Sequence, residues 1–355
     1  MEPLSKRFSL VKLKAGENFN RRNTFSISRI ALKLHSVRNL SPTQRSAKLG
    51  RFETGSMDIL ITGASGFIGS ALLPYLSAKG HRIFKLERGK KPESGLFWDI
   101  ENNIIELSDK ISFDAVIHLA GENVGDSRWT IKKKEKILSS RIAGTHLISK
   151  TIASLDPKPQ VMLSSSGIGI YGDQGRQIVT EATSPGKGFL ADVCKKWEAE
   201  TKPAEDAGIR VAHLRIAPVL SMKGGMIKRL LPYFKLGLGA SMGPGTQYLS
   251  WIVMSDLMDA MDFILHNNFI KGAVNLCTPN PVTNYQFAKI LGKVINRPAV
   301  LNLPGPVLKI LFGQMAEEEL LFSNQAIPER LINADFKFAY PDLEKALRYV
   351  IDANV

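Results

Sequence analysis

Apolar residues in this chain fall into short blocks whose period switches between that of a strand and that of a helix. Ile59-Leu60-Ile61 is a strand-length run that leads directly into Gly63, Gly66 and Gly69, followed by an apolar helical pattern at Phe67, Ile68, Leu72, Leu73 and Leu76. The spacing predicts a strand, a tight turn and a helix ending near Lys79-Gly80, with a kink at Pro74, which removes a backbone bond to Ser70. His81 to Leu86 predicts a second strand ending at Glu87-Arg88, and Gly95 to Trp98 a third, with Asp99 at its end. Phe113 to Gly121 is almost continuously apolar, which suits a central parallel strand buried on both faces. A helix is predicted from Ile131 to Ile152, with Ile131, Leu138, Ile142 and Leu147 on its apolar side. Gln160 to Leu163 predicts a fifth strand, running into Ser164-Ser165-Ser166 and then Tyr171-Gly172. Phe189 to Pro203 predicts another helix, and Arg210 to Ile216 a sixth strand that ends at Pro218.

Strands alternating with helices in this way predict an α/β fold, a Rossmann-like doubly wound parallel sheet with ligand at the carboxyl ends of its strands. From Ser221 the texture changes. Gly224-Gly225 opens a basic, apolar segment through Leu238, and a glycine-rich loop precedes Ser250 to Val253. Ser255 is the expected cap of a helix from Asp256 to His266, Val274 to Leu276 a short strand, and Thr283 with Gln286 a capping box. Apolar segments at Val307–Phe312 and Ala316–Phe322, then a last helix near Pro341, complete a smaller, mainly helical C-terminal lobe. The expected organisation is a leader over residues 1–55, a nucleotide-binding domain over 56–220 completed by elements near 249–278, and the lobe over 221–355.

The turn has its own chemistry. Its first glycine permits the bend, its second lets the backbone approach a pyrophosphate, and its third lets the helix pack on the strand, with phosphates held at the helix N-terminus. Candidate cofactor contacts are therefore Gly63, Ser65, Gly66, Phe67, Ile68 and Gly69. Leu119, Ala120, Gly121 and Ser164, at the ends of later strands, join them, and Asp99 is placed to meet an adenine amine. At the end of the second strand Glu87 would favour the ribose hydroxyl of NAD and Arg88 the 2'-phosphate of NADP.

Composition changes this picture at the amino terminus only. Residues 1–55 hold twelve Lys and Arg against three acids, a net +9 of the total +14. The rest is nearly balanced, so the charge does not argue for nucleic acid. An Arg-rich, Ser-containing, acid-poor leader resembles an organelle transit peptide, the alternative being a basic tail that stays on. Its composition does not separate plastid from mitochondrion. Cys194 and Cys277 have no partners at metal spacing, so neither a disulfide scaffold nor a metal site is expected. No apolar run is long enough to span a bilayer, and Lys132, Lys133, Lys134 and Lys136 are expected on a solvated helix face.

These residues resemble the extended short-chain dehydrogenase/reductases: Thr62-Gly-x-x-Gly-x-x-Gly69, His118-Leu-Ala120, Ser164-Ser-Ser166 before Tyr171-Gly172, and Trp251-Ile with Asp256-Leu257. The chain is more specifically similar to an atypical, epimerase-like family, through Ala120-Gly-Glu122, Arg128-Trp129, Ser140-Arg141, Phe189-Leu-Ala191, Trp197-Glu198, Leu249-Ser-Trp-Ile252 and Tyr340-Pro-Asp-Leu343. That resemblance covers about residues 57–350. It implies binding of NADP(H), with NAD as the alternative, and an oxidoreductase or nucleotide-sugar-epimerase-like activity. Some bacterial members carry a cell-division-inhibitor label, and plant members with transit peptides are associated with plastid division. A chloroplast location follows, in the stroma or peripherally on the inner envelope, with an unidentified small molecule or protein as partner. Yet the positions matching the usual Tyr-x-x-x-Lys pair are Phe189 and Val193, neither able to transfer a proton. Val253 also replaces a common histidine, and Glu87 a small hydroxyl residue. If the chain is an enzyme, its acid/base must be displaced: Tyr171 as donor, Ser166 as hydrogen-bond partner, and Glu122 or Arg141 orienting the substrate. If it is not, the fold senses NADP(H) and presents Val307–Phe312 to a partner.

Overall fold

A computed structural model describes residues 55–89, 96–108 and 111–352, all within one unit of the chain, residues 51–355. Its centre is a six-stranded parallel sheet of β1 (Asp58–Thr62), β2 (Arg82–Leu86), β3 (Ala115–His118), β4 (Val161–Gly167), β5 (Arg210–Ile216) and β6 (Gly272–Leu276). The spatial order is β6-β5-β4-β3-β1-β2. Chain order therefore reverses beside β1, whose neighbours are β2 on one side and β3 on the other. A sheet of this kind opens a crevice at the carboxyl ends of those strands.

Successive side chains of the strands feed two different cores, which is why the middles of β1 and β3 read as plain apolar runs. Ile59, Ile61, Ile117, Leu163 and Leu214 face a core shared with Leu72 and Leu76 of α1 (Gly69–Ala78). Leu60, Val116, Met162 and Val211 face the other, with Ile148 and Ile152 of α2 (Ile131–Ala153). Helices α3 (Phe189–Ala199) and α4 (Lys202–Asp206) follow β4. A further core joins α5 (Gly225–Lys235), α7 (Asn284–Val294) and α10 (Leu343–Asp352) around Trp251. Helix α6 (Met254–Leu265) packs on the sheet, and α8 (Gly305–Phe312) and α9 (Glu329–Asn333) complete the smaller, mainly helical part. No helix among the described residues is long and apolar enough to cross a membrane.

The six strands of the sheet and the Thr283/Gln286 capping box, both halves of which form, fall where the sequence places them to within a few residues. Pro74 lies inside α1 on its exposed side, where the carbonyl it leaves free can meet water. Several other expectations do not hold. The third strand begins at Phe97, not Gly95, which lies outside the described residues, as does the leader. It runs Phe97–Asp99 and pairs antiparallel with Ile104–Glu106 beside Glu87, outside the six-stranded sheet. In α2, Leu147 is buried as expected and Leu138 and Ile142 are half-buried, but Ile131 is 77% exposed, and the buried side also holds Ile137, Arg141, Thr145, Ile148 and Ile152. The helix expected through Pro203 breaks at Thr201, with Pro203 in the first turn of α4. Helix α6 starts at Met254, so Ser255 does not cap it. Lys133 leaves the solvated face altogether: with a side chain 11% exposed it pairs with Glu122 at 2.6 Å and Asp126 at 2.7 Å.

A buried polar chain ties the layers together. His118 at the end of β3 meets Thr62 Oγ1 at 2.7 Å and Thr145 Oγ1 at 2.9 Å, and Trp197 Nε1 donates to the same Thr145 oxygen. Burial, helped by the charge of Arg141, pushes the His118 pKa down to about 3. A base held neutral in this way contributes stability that is complete above roughly pH 6.5 and is lost as the pH falls. Denaturant titrations between pH 6.5 and 4 should therefore show a decline of up to ~1.4 kcal/mol per pH unit in the native protein that His118→Gln lacks; equal slopes would remove His118 as its source.

Candidate functional site

The crevice is built on a contact too close for side chains. Gly63 has φ +71, and a Cβ there would lie 2.7 Å from Leu119 C and Ala120 N. At Gly69 a Cβ would meet Gly63 O at 2.3 Å. The start of α1, the end of β1 and the chain leaving β3 are thus in direct backbone contact, with Gly66 N–H closing the turn on Gly63 O at 3.0 Å. Ser65 and Gly66 remain exposed. The Ser70 and Ala71 N–H groups are taken by Gly66 O and Ile68 O, and the start of α1 sits at the positive end of its dipole.

Beside this turn lies an open cleft of about 660 Å³, lined by Ser65, Gly66, Phe67, Ser70 and Asn123 on one side and by Gly224, Gly225, Lys223, Lys228 and Arg229 on the other. Phe67 packs against Gly224, where a Cβ would come within 2.6 Å of its ring. Ile227, Leu231 and Phe234 bury one face of α5, which leaves Lys228 and Arg229 on the other, exposed. Three cations thus rim a cleft floored by a glycine turn, a donor set and shape that fit a polyphosphate. Sequence reasoning missed Asn123, Lys223, Lys228 and Arg229; the signal was there in the basic segment after Gly224-Gly225, but nothing local says that it returns to the turn.

Of the other cofactor candidates, Arg88 is exposed just beyond β2, and its side chain makes no hydrogen bond or ion pair among the described residues. Ala120 is buried and its N–H meets Thr62 Oγ1 at 3.4 Å, while Gly121 is backed by the Arg141 guanidinium. Ser164 is 1% exposed and its Oγ lacks a partner. Asp99 spends its carboxylate on its own loop, accepting from Glu101 N–H, Asn102 N–H and the Asn102 side chain.

The displaced acid/base set is not brought together. Tyr171 has no accessible surface; its hydroxyl donates to Asn275 at 2.7 Å and accepts from Arg215 at 3.0 Å, and burial pushes its pKa up to about 12. Ser166 donates to Glu198 at 2.7 Å, and Glu198 in turn takes Arg215 on both oxygens at 2.9 Å. Although burial opposes it, that guanidinium holds Glu198 below the usual carboxylate range. These side chains are committed to one buried network, which corrects the expectation that Tyr171 and Ser166 face a ligand. Glu122 pairs with Lys133, and Arg141 instead holds the Glu122 carbonyl at 2.8 Å while stacking on Trp197. Phe189 and Val193 pack in an apolar cluster with Trp129, Ile137 and Met315.

A second, apolar pocket of about 60 Å³ is lined by Met226, Met242, Tyr248, Leu249, Leu320 and Phe322, with Glu319 among them. Of three consecutive glutamates, Glu317 pairs with Lys309 and Glu318 accepts from the Phe189 and Leu190 amides, capping α3. Glu319 makes neither a hydrogen bond nor an ion pair among the described residues, and burial pushes its pKa up to about 7 against the charges of Arg141 and Arg229. Gly125 lies near both Arg229 and Glu319: a Cβ there would lie 3.6 Å from Arg229 Nη1 and 3.8 Å from Glu319 Oε2. Elsewhere His81, Asp262 and His266 bring ligand atoms within 4.8 Å of one another. His81 Nδ1, however, accepts the Met57 N–H at 3.1 Å, so its neutral ring carries the proton on Nε2, toward Asp262. That arrangement suits an ion-pair cluster with Lys79 better than a metal.

Residues 59–277 match the NAD dependent epimerase/dehydratase family, and residues 303–350 match a domain of unknown function, DUF1731. The chain belongs to the NAD-dependent epimerase/dehydratase family. An epimerase family protein of Mycobacterium bovis is 38% identical over 292 residues, 82% of this chain and 96% of that protein. A chloroplastic homologue of epimerase family protein SDR39U1 from Arabidopsis thaliana is 32% identical over 304 residues, 83% and 87% of the two chains. The crystal structure of human epimerase family protein SDR39U1 with NADPH matches with a TM-score of 0.77 at 31% identity, over 83% of this chain and 99% of that one. The short-chain dehydrogenase/reductase resemblance and the Rossmann-like fold are therefore confirmed.

Because its nearest neighbours would be backbone atoms, Gly69→Ala in this family member should destabilise the protein by about 1–3 kcal/mol, read as a lowered urea midpoint. An unchanged midpoint would mean that the turn can yield.

Proposed function

We propose that this protein binds NADP(H) in the cleft beside the glycine turn and acts as an epimerase-like oxidoreductase of an organelle, the plastid before the mitochondrion. The observation that carries it is the convergence of exposed Arg88, the backbone turn at Gly63–Gly69 and the cations Lys223, Lys228 and Arg229 at the crevice beside β1. The turn and α1 hold the pyrophosphate, Arg88 takes the 2'-phosphate, and Ala120, Gly121 and Ser164 leave room past the ends of β3 and β4. When bound, the nicotinamide supplies or accepts a hydride. The NADPH in the human relative supports this choice of cofactor. Residues 1–55 act as a transit peptide, a role supported by their composition and by the chloroplastic Arabidopsis relative. A role in plastid division is part of the proposal through the family resemblance.

A second reading, a catalytically silent NADP(H) sensor, draws on Phe189, Val193, Tyr171 and Ser166 being unable to serve as the usual proton relay. It also draws on α8, whose Val307, Ile310 and Leu311 are 41%, 74% and 58% exposed and could meet a protein or the inner envelope. If so, Ile310→Glu with Leu311→Glu should release the protein from its partner or envelope fraction with NADPH binding intact. Full rescue of a null plant by a variant unable to bind nucleotide would instead rule the sensor out.

Fluorescence titration separates the cofactors. NADPH should bind at least tenfold more tightly than NADH, and Arg88→Ala should remove that preference by weakening NADPH alone, since a charge-assisted bond contributes about 1.5–3 kcal/mol. Equal affinities in the native protein would refute the role of Arg88.

A further inference from the structure

The far end of α5 puts apolar side chains into water. Ile227, Leu231 and Phe234 bury one face of that helix, and Gly237, with φ +77, turns the chain out of it. Tyr233, Leu236 and Leu238 are left 61%, 75% and 53% exposed. A second loop abuts this one. Arg297 Nε donates to Lys235 O at 3.1 Å, Leu301 N–H donates to Gly239 O at 3.2 Å, and a Cβ at Gly239 would lie 3.0 Å from Ala299 Cβ. Ala299 faces inward, and its neighbour Val300 faces outward, 71% exposed. The pairing of Ala240–Met242 with Leu301–Leu303 ties the two loops into one tip.

The charge around this tip has one sign. Residues 221–250 and 279–316 contain no Asp or Glu. Lys235 and Arg297 lie in the two loops, and α7 brings Lys289 and Lys293 beside them, since a Cβ at Gly292 would lie 2.8 Å from Arg297 O. All four are exposed. Lys293 pairs with Glu344 at 2.7 Å; Lys235, Lys289 and Arg297 pair with no acid among the described residues.

These features select a partner. A second copy would set the same cations against one another with no acid to receive them. Side chains as exposed as Leu236 and Val300 stand out from the surface and form no groove for the side chains of a folded protein. A lipid surface needs no groove: it offers hydrocarbon to the projecting residues, a boundary that suits the amphipathic ring of Tyr233, and, where its headgroups are anionic, a charge that attracts the cations behind them.

We propose that this tip docks on an anionic lipid surface, with Leu236, Leu238 and Val300 entering the acyl boundary and Lys235, Lys289 and Arg297 meeting the headgroups. The surface uses none of the residues of α8 and does not rest on the cofactor reading.

Vesicles of phosphatidylcholine, with and without phosphatidylglycerol, test this on the full chain. Residues 1–55 are basic enough to hold the chain on anionic vesicles by themselves, so the readout is placed at the tip. Cys194 and Cys277 are buried, which lets Leu238→Cys be labelled selectively with an environment-sensitive dye. The dye should shift to the blue, and be quenched by nitroxides on the lipid chains, with the mixed vesicles only. The same dye at Phe269→Cys, an exposed apolar site just before β6, should do neither. Lys235→Gln in the labelled chain should raise the lipid concentration for half the shift about fivefold. Adding Leu236→Glu with Val300→Glu should abolish the shift with the urea midpoint unchanged, because these side chains bury little. No shift with either vesicle, an equal response from Phe269→Cys, or a shift that survives the two glutamates would overturn the proposal. A shift that grows with protein concentration in the absence of lipid would overturn it in favour of a second copy.

Discussion

Everything at the functional end of this molecule depends on a backbone contact that admits no side chain. The turn at Gly63 presses on the chain leaving β3, and Gly69 presses on Gly63 O, so that strand, turn and helix share one small volume. The contact brings the dipole end of α1 and the end of β3 to the point where strand order reverses. A crevice for a dinucleotide is the consequence, and α5 completes it by offering cations from the opposite side.

A second constraint decides what chemistry that crevice can host. Glu198 and Arg215 form a buried, doubly hydrogen-bonded pair, and such a pair requires its remaining polar positions to be filled. Ser166 and Tyr171 fill them. The price of that arrangement is that two residues suited to proton transfer are held inside the sheet.

The sheet was legible because burial on both faces turns the middles of β1 and β3 into continuous apolar runs, and a glycine spacing of three has few other uses after a strand. The capping box at Thr283 was legible because its partners are three residues apart. What escaped depends on partners distant in sequence. Arg141 faces inward on α2 because Trp197 and the Glu122 carbonyl receive it, and no periodicity within the helix announces that. Tyr171 reads as a catalytic phenol until Asn275 and Arg215 are seen to occupy it. Glu319 sits in a run of acids that reads as solvated surface, although its two neighbours take the surface and capping roles.

The most direct test of this account is a crystal structure of the NADPH complex. It predicts the 2'-phosphate on Arg88 and the pyrophosphate between the Ser65–Ser70 turn and Lys228 or Arg229, with Tyr171 still bonded to Asn275 and Arg215. A nicotinamide lying against Tyr171 and Ser166, with their bonds to Arg215 and Glu198 broken, would contradict it.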